Sequence, residues 1–179
     1  MSTILLGVTG SIAAYKAAEL AGSLVKQNHV LHVLMTAHAC EFITPLTMQT
    51  LSRNPVVTDS FEKISSWNPR HVALAESAEL FVIAPASANV LAKLAHGICD
   101  DALTSVALAC RAPLIIAPAM NTNMWFHPAT QANVRILSER GAEFVGPVSG
   151  RLACDRDDMG RLAELSDILE KISQKLTVS

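Results

Sequence analysis

The chain has 179 residues, half of them hydrophobic and only 17% charged, with a formal net charge of −2. That length suffices for one domain with a sizeable core, and a near-neutral chain without a basic block is a poor candidate for nucleic-acid binding. The start, MSTILLGVTGS, has no basic region and too short an apolar run for a signal peptide. No apolar run approaches membrane-spanning length. We expect a cytoplasmic protein with neither a nucleic-acid nor a membrane partner.

Apolar runs and helical periodicity alternate along the chain. We expect strands at TILLGVTG, VLHVLMT, ELFVIAPAS, APLIIAPAM and AEFVGPV, which are residues 3–10, 30–36, 79–87, 112–120 and 142–148. We expect helices at residues 11–28, 39–53 (with Pro45 near the start or at a kink), within 64–78, and at 88–97, 100–111, 127–141 and 161–176. This alternation predicts a single-domain α/β protein, residues 1–179, with a Rossmann-like (flavodoxin-like) doubly wound parallel sheet.

The four cysteines are too far apart in sequence for a C-x-x-C pair, which argues against a metal site or a redox dithiol. We expect Cys40, Cys99 and Cys110 to be small buried side chains. Cys154 lies in GPVSGRLACDRDDMGRLAE, whose glycines and charges predict a mobile loop or flap. A thiol in such a segment is less often inert, although packing or chance is the simpler interpretation from this residue alone.

Ligands of doubly wound sheets bind beyond the carboxyl ends of the strands, which directs attention to residues 9–13, 36–39, 85–89 and 118–125. In the first of these loops, Gly10 and Ser11 precede a helix whose free amides could bind phosphate. An equally good interpretation is that Gly10 forms a turn and Ser11 caps the helix. The segment is not the complete G-x-G-x-x-G fingerprint of a dinucleotide site.

The next two loops allow the same two interpretations. Thr36 could bind phosphate or cap the following helix, and the lack of an acidic residue at that strand end favours a mononucleotide over a dinucleotide. Ser87 and Asn89 could hydrogen-bond the edge of a flat ring or belong to an ordinary helix N-terminus. His71 could act as a base or orient a carboxylate, but most histidines do neither.

Six segments together resemble the homo-oligomeric flavin-containing cysteine decarboxylases: GVTGSIAAYK, RHVALA, PASAN, AHGICDD, PAMNTNMW and LACDRDDMGR. The resemblance covers nearly the whole chain, and PAMNTNMW is its strongest part. Within the family, the segments are most similar to the bacterial enzymes that convert 4'-phosphopantothenoylcysteine to 4'-phosphopantetheine in coenzyme A biosynthesis. The resemblance therefore implies a carboxy-lyase that uses FMN.

The resemblance also implies roles for particular residues. Asn121 would bind the carboxylate and amide of the substrate and Met124 would line its pocket, on a substrate-recognition loop at 118–125 with Trp125 packed behind it. His71 and Cys154 would be catalytic, the first near the substrate carboxylate and the second as proton donor on a flap at about 148–161. The implied FMN-binding residues are Gly10, Ser11, Ile12, Thr36, Ser87, Ala88, Asn89 and Ala119.

The implied reaction oxidises the cysteine moiety to a thioaldehyde, releases CO₂, and re-reduces the resulting enethiol. A peptidyl-cysteine decarboxylase of the lantibiotic type is an alternative, because such relatives stop at the enethiol and do not need Cys154. A non-enzymatic FMN-binding regulatory subunit is a further alternative. Such subunits usually carry acidic tails, which this sequence lacks.

Two features depart from the family pattern. Asp155 and Asp158 replace two family glycines, which restricts the flap backbone and adds negative charge to it. Val90 stands where the family commonly has threonine.

The resemblance also implies a homotrimer or a dodecamer of trimers. We further expect a separate ligase as the source of substrate, because the sequence ends at Ser179 without the ligase domain of many relatives.

Overall fold

The computed structural model describes residues 1–58, 70–151 and 157–178, without the side chains of residues 70–72, 151, 157 and 178. Its strands are β1 (Thr3–Val8), β2 (Val30–Met35), β3 (Leu80–Ala86), β4 (Leu114–Pro118), β5 (Glu143–Phe144), β6 (Val148–Arg151) and β7 (Asp157–Arg161). Its helices are α1 (Ala14–Lys26), α2 (Ala37–Cys40), α3 (Pro45–Ser52), α4 (Arg70–Ser77), α5 (Ala88–His96), α6 (Ala102–Ala109), α7 (Thr122–Phe126), α8 (Pro128–Glu139) and α9 (Leu165–Val178).

The main sheet has five parallel strands in the order β2-β1-β3-β4-β5. This is the flavodoxin-like order, so the predicted fold class is confirmed. The chain turns to opposite sides of the sheet after β1 and after β3, and the crevice between these strands is where doubly wound folds bind ligands. The carboxyl ends of β1, β3 and β4 therefore define the region in which a site is expected.

Both faces of the sheet are covered by helices, which explains the strongly apolar strands. Side chains alternate along β1, so Ile4 and Leu6 pack with α1 and α9, whereas Leu5 faces the opposite layer. That second layer contains residues of α4, α5, α6 and α8, among them Leu103 and Leu137. The two cores hold the central strands rigidly and leave the loops at their ends to form a site.

The predicted helix at residues 39–53 is two helices, α2 and α3. Thr44 has extended backbone angles, and its hydroxyl accepts a hydrogen bond from the Thr47 N–H at 3.2 Å. Pro45 occupies the first turn of α3, where its missing N–H costs nothing and its ring disfavours a helical residue before it. The proline therefore begins a new helix.

The C-terminal third also differs from the sequence-based expectation. The strand predicted at residues 142–148 is only the two-residue β5, and Pro147, which lacks an N–H, separates it from β6. β6 pairs antiparallel with β7 in a separate two-stranded sheet, so the described part of the predicted flap is a β-hairpin. Residue 161 lies in β7, and the last helix begins at Leu165.

The segment AHGICDD connects α5 to α6, and its two aspartates, Asp100 and Asp101, have structural roles. The Lys93 ammonium lies 2.6 Å from an Asp100 oxygen and 3.1 Å from an Asp101 oxygen, and the hydrogen bond to Asp100 raises the pKa of Lys93 despite its partial burial. Asp101 also caps α6, accepting a hydrogen bond from the Thr104 N–H at 2.8 Å. This motif fixes the start of α6.

The expectation that three cysteines are buried is wrong for Cys99, which is exposed in the α5–α6 connection. Cys40 and Cys110 are partly buried, and burial raises the pKa of both thiols. Among the helices of the described ranges, none combines the length and the hydropathy needed to cross a bilayer.

Candidate functional site

A cleft of about 680 Å³ lies at the carboxyl ends of β1, β3 and β4. Its volume is within the range typical of small-molecule and cofactor sites. It is lined by Gly10, Ser11, Ile12, Ala13, Tyr15, Lys16, Phe42, Ser87, Ala88, Ala119, Met120, Asn121, Met124, Gly160, Arg161 and Leu162. The structure therefore brings together eight of the sequence-predicted binding residues, which are Gly10, Ser11, Ile12, Ser87, Ala88, Ala119, Asn121 and Met124.

The turn after β1 is held close to its neighbours. A Cβ on Gly10 would lie 2.5 Å from the His38 Cβ, so only glycine fits without displacement of α2. The Ser11 hydroxyl donates to the Ala119 carbonyl at 3.2 Å and accepts from the Ala13 N–H at 3.4 Å. Ser11 thus joins the β1 turn to the end of β4 and also satisfies an amide at the start of α1.

Thr9 was not predicted as a site residue, although it organises the cleft. Its fully buried hydroxyl donates to the Pro85 carbonyl at 2.8 Å and accepts from the Ser87 N–H at 2.9 Å. These bonds fix the end of β3 against the end of β1. A threonine directly after a buried strand is the sequence signal, but its partner is 78 residues away and cannot be read from local pattern.

Two of the predicted binding residues do not line the cleft. The Thr36 hydroxyl is used as the N-cap of α2, where it accepts from the Ala39 N–H at 3.2 Å, and only 8% of the residue is exposed. Asn89 is exposed on α5 but lies outside the set of lining residues. Ser87 lines the cleft and also caps α5 through the Val90 N–H at 3.4 Å, so both interpretations of Ser87 hold together.

The electrostatic character of the cleft favours an anionic ligand. The N-cap residues of α1 and α5, Ala13 and Ser87, both line the cleft, and helix N-termini carry partial positive charge. Lys16 adds a full charge, and no ion pair of Lys16 is present within the described residues. Arg161 also lines the cleft but is paired with the Glu164 carboxylate. None of the described lining residues carries a carboxylate.

Sequence reasoning missed Tyr15, Lys16 and Phe42 as lining residues. Ile12, Tyr15 and Lys16 are spaced by three and four residues, which places them on one side as the chain enters α1. That spacing indicates that Tyr15 and Lys16 line the same site as Ile12, once Gly10 and Ser11 are taken as part of that site. Phe42 follows α2 and had no such signal, because its position depends on the packing of α2 beside the β1 turn.

The recognition loop after β4 contains a short helix, α7, that the sequence did not predict. Asn121 is its N-cap, and the Asn121 Oδ1 accepts from the Asn123 N–H at 2.9 Å. The amide oxygen is therefore used internally, whereas the hydrogen bonds among the described residues include none from the Nδ2 group of this exposed side chain. Amide donors on a residue that lines the cleft suit a carboxylate ligand.

The rest of this loop forms one wall of the cleft. Met124 is 48% exposed and lines the cleft. Trp125 is partly buried outside the lining set, and its carbonyl accepts from Gln131 Nε2 at 2.7 Å, which ties α7 to α8. Met124 therefore lines the cleft and Trp125 lies outside its lining, while their roles toward a substrate stay predictions.

The two predicted catalytic residues are not described to the same extent. His71 is the second residue of α4, but its side chain is not among those that the structure describes. Cys154 and Asp155 lie entirely outside the described residues. Asp158 is described: its carboxylate is exposed and accepts from the Met159 N–H at 2.8 Å. Val90, on α5, is buried in the hydrophobic core that also contains residues of α6.

Comparison with known proteins gives concordant matches. The family model described as Flavoprotein matches residues 1–177. A protein of Streptococcus mutans serotype c described as a probable phosphopantothenoylcysteine decarboxylase is 49% identical over 175 residues, which is 97% of this chain and 98% of that protein.

Two solved structures match over nearly the whole chain. A PPC decarboxylase mutant, a Cys-to-Ser variant, complexed with pantothenoylaminoethenethiol has a TM-score of 0.88 and 32% identity, with 98% of each chain covered. The FMN-dependent cysteine decarboxylase SpaF has a TM-score of 0.84 and 35% identity, with 98% of each chain covered. On sequence and fold alike, this chain belongs to the Flavoprotein family.

Proposed function

We propose that this chain decarboxylates 4'-phosphopantothenoylcysteine to 4'-phosphopantetheine, with FMN as its cofactor. The observation that carries the proposal is the cleft itself, which combines helix N-termini, Lys16 and the Asn121 donors with no carboxylate among its described lining residues. Such a cleft suits a ligand set that contains phosphate and carboxylate groups. The 49% identity to the Streptococcus mutans protein supports the choice of substrate.

The residues of the cleft fit a flavin mononucleotide. Small side chains at Gly10, Ser11, Ala88 and Ala119 leave room for a flat ring, and the partial positive charge of the α1 N-terminus together with the Lys16 ammonium suits a phosphate. When bound, the flavin would supply the two-electron redox chemistry of the reaction. Thr36 lies outside the lining residues, and its hydroxyl accepts the capping bond from the Ala39 N–H, so its predicted role in binding FMN stays a prediction.

The protein residues bind, orient and protonate the substrate. Asn121 Nδ2 would donate to the substrate carboxylate and hold it until CO₂ departs, and Met124 would contact the apolar stem. His71 would orient the carboxylate from α4. Cys154 would deliver the proton when the enethiol is reduced. These last two roles rest on the resemblance of RHVALA and LACDRDDMGR to the family motifs.

We infer that the working unit is a homotrimer or an assembly of trimers in the cytoplasm. Exposed apolar side chains at the cleft support association: Ile12 is 59%, Tyr15 61% and Phe42 48% exposed. Exposed apolar groups grouped around one site are typical of an interface. The free thiol of Cys99 suits a reducing compartment.

The test is mass spectrometry of the products formed when the flavin-loaded protein is mixed with 4'-phosphopantothenoylcysteine. Loss of CO₂ with no net oxidation, giving 4'-phosphopantetheine, is the expected result. A reaction that loses CO₂ and two further hydrogens stops at the enethiol. An unchanged substrate would refute the proposal.

A peptidyl-cysteine decarboxylase is the second candidate, favoured by the similarity of the chain to the solved peptidyl-cysteine decarboxylase EpiD. A peptide ending in cysteine should be tested beside the pantothenoyl substrate. We expect the pantothenoyl substrate to react with the higher kcat/KM, because Lys16 in the cleft has a phosphate to bind only in that substrate. Faster reaction of the peptide would reverse the assignment.

A further inference from the structure

The recognition loop is bound directly to the hairpin strand β7. The Met120 N–H donates to the Gly160 carbonyl at 3.0 Å, and the Thr122 hydroxyl donates to the Met159 carbonyl at 2.6 Å. We name these two bonds the loop–hairpin contact. The two bonds lie on either side of Asn121, whose amide donors belong to the lining of the cleft. The backbone of Asn121 is therefore held on both sides by β7.

Gly160 makes this close approach possible. A Cβ at Gly160 would lie 2.2 Å from the Met120 carbonyl oxygen, and its φ of +139° is a conformation that side chains disfavour. Gly160 is also buried. The loop and the strand therefore approach each other at backbone distance, and the Thr122 hydroxyl supplies the only side-chain hydrogen bond between them within the described residues.

We propose that Thr122 is a positioning residue, whose hydroxyl holds Asn121 in place by tying the recognition loop to β7. The inference deepens the proposed function, since it concerns the same binding site. It follows from the contact that loss of the Thr122 hydroxyl affects ligands that carry the carboxylate more than ligands that lack it. A general loss of folding would affect both alike.

The informative variants are Thr122→Val, which keeps the branched shape without the hydroxyl, and Thr122→Ser, which keeps the hydroxyl. For Thr122→Val we expect KM for 4'-phosphopantothenoylcysteine to rise about fivefold, the effect of one lost hydrogen bond. The inhibition constant of 4'-phosphopantetheine, which lacks the carboxylate, should stay unchanged. Thr122→Ser should behave like the unsubstituted protein in both measurements.

Amide hydrogen exchange of the flavin-loaded proteins tests the contact without substrate. Exchange of the segment around Met120 should accelerate in Thr122→Val and not in Thr122→Ser, because the Met120 N–H bond to Gly160 is the neighbouring half of the contact. If exchange accelerates in Thr122→Val and not in Thr122→Ser, but the unsubstituted protein does not turn over substrate, the proposed function fails and the loop–hairpin contact stands.

Three outcomes would overturn the positioning role. One is Thr122→Val with unchanged KM and unchanged exchange. Another is equal impairment of Thr122→Val and Thr122→Ser, which would mean that the hydroxyl is not responsible. The third is equal weakening of substrate and of 4'-phosphopantetheine, which would assign Thr122 a merely structural role. If Thr122→Val fails to fold, Thr122→Ala is judged by the same two measurements.

Discussion

The Thr9 hydroxyl accepts a hydrogen bond from the Ser87 N–H at 2.9 Å and donates one to the Pro85 carbonyl at 2.8 Å. These two bonds join the carboxyl ends of β1 and β3, the neighbouring strands after which the chain turns to opposite sides of the sheet. The backbone around Ser87, which lines the cleft, is therefore placed by a residue that does not line it.

Replacement of Thr9 by valine should weaken both folding and flavin binding. The substitution leaves the partly buried Ser87 N–H without its partner, which costs about 1–3 kcal/mol of unfolding free energy. Denaturant unfolding and a fluorescence titration with FMN measure the two effects. Thr9→Ser is the control and should retain most of both quantities. Equal stability of the valine and serine variants would contradict the role assigned to the hydroxyl.

Replacement of Asn121 by aspartate separates the helix cap from the ligand donor. Aspartate caps a helix as well as asparagine does, so the thermal midpoint should change little. The donors, however, are replaced by a negative charge facing the substrate carboxylate, and KM should rise about tenfold to a hundredfold. Steady-state kinetics with the pantothenoyl substrate measure this change. An unchanged KM would remove Asn121 from the carboxylate site.

Replacement of Gly10 by alanine should be destabilising for a steric reason. The new Cβ would lie 2.5 Å from the His38 Cβ, and relief of such overpacking typically costs about 1–3 kcal/mol. FMN retention should fall with it, since α2 must move away from the turn.

Gly22 provides the matched control, because a Cβ there meets nothing within 4 Å and the residue lies inside α1. Gly22→Ala should stabilise the protein by about 0.5–1 kcal/mol through helix propensity. Both variants are compared by denaturant unfolding. A Gly10→Ala variant as stable as Gly22→Ala would show that the β1 turn and α2 separate easily.

Replacement of Cys154 by serine should leave CO₂ release intact and allow the enethiol to accumulate. The hydroxyl is a much weaker acid than the thiol and cannot protonate the product of decarboxylation at the same rate. A PPC decarboxylase Cys-to-Ser variant with a bound enethiol is known as a solved structure. Product mass spectrometry measures the ratio of the two products, and Cys99→Ser, in the exposed α5–α6 connection, is the control. Wild-type yields of 4'-phosphopantetheine would exclude Cys154 as donor.

The docking of α9 on β5 should depend on pH through Glu143. Its carboxylate lies 2.5 Å from the Lys171 ammonium and also contacts Lys175, and these bonds lower the pKa of Glu143 below its usual 4.5. A carboxyl whose folded pKa is lowered contributes stability above its unfolded pKa and loses it as pH falls through the folded value.

We therefore expect Glu143→Gln to reduce the unfolding free energy by about 0.5–1 kcal/mol at pH 7, because the ion pairs are only partly shielded from water. The difference between the variant and the unsubstituted protein should shrink below about pH 4.5. Denaturant unfolding at pH 7 and pH 4 measures it. A difference that grew on acidification would reverse the sign of the argument.

The sequence by itself determined the alternation of strands and helices and the loops that carry ligand-binding residues. It did so because buried parallel strands require continuous apolar runs, as in LFVIAPA of β3, and because the carboxyl ends of such strands share one edge of the sheet. Gly10, Ser11 and Ser87 could be named as candidates for that reason alone, whereas the role of Asn121 came from the family resemblance. The resemblance of PAMNTNMW to a known family added the reaction.

The tertiary structure decided which polar side chains face the cleft and which are used internally. Thr36 and Thr9 both follow a buried strand, yet one hydroxyl caps its own helix and the other joins two strands 78 residues apart in sequence. The contact of Thr122 with Met159 is likewise set by the approach of β7 to the recognition loop. Such bonds form between segments distant in sequence, and only packing brings them together, so local patterns of residues do not reveal them.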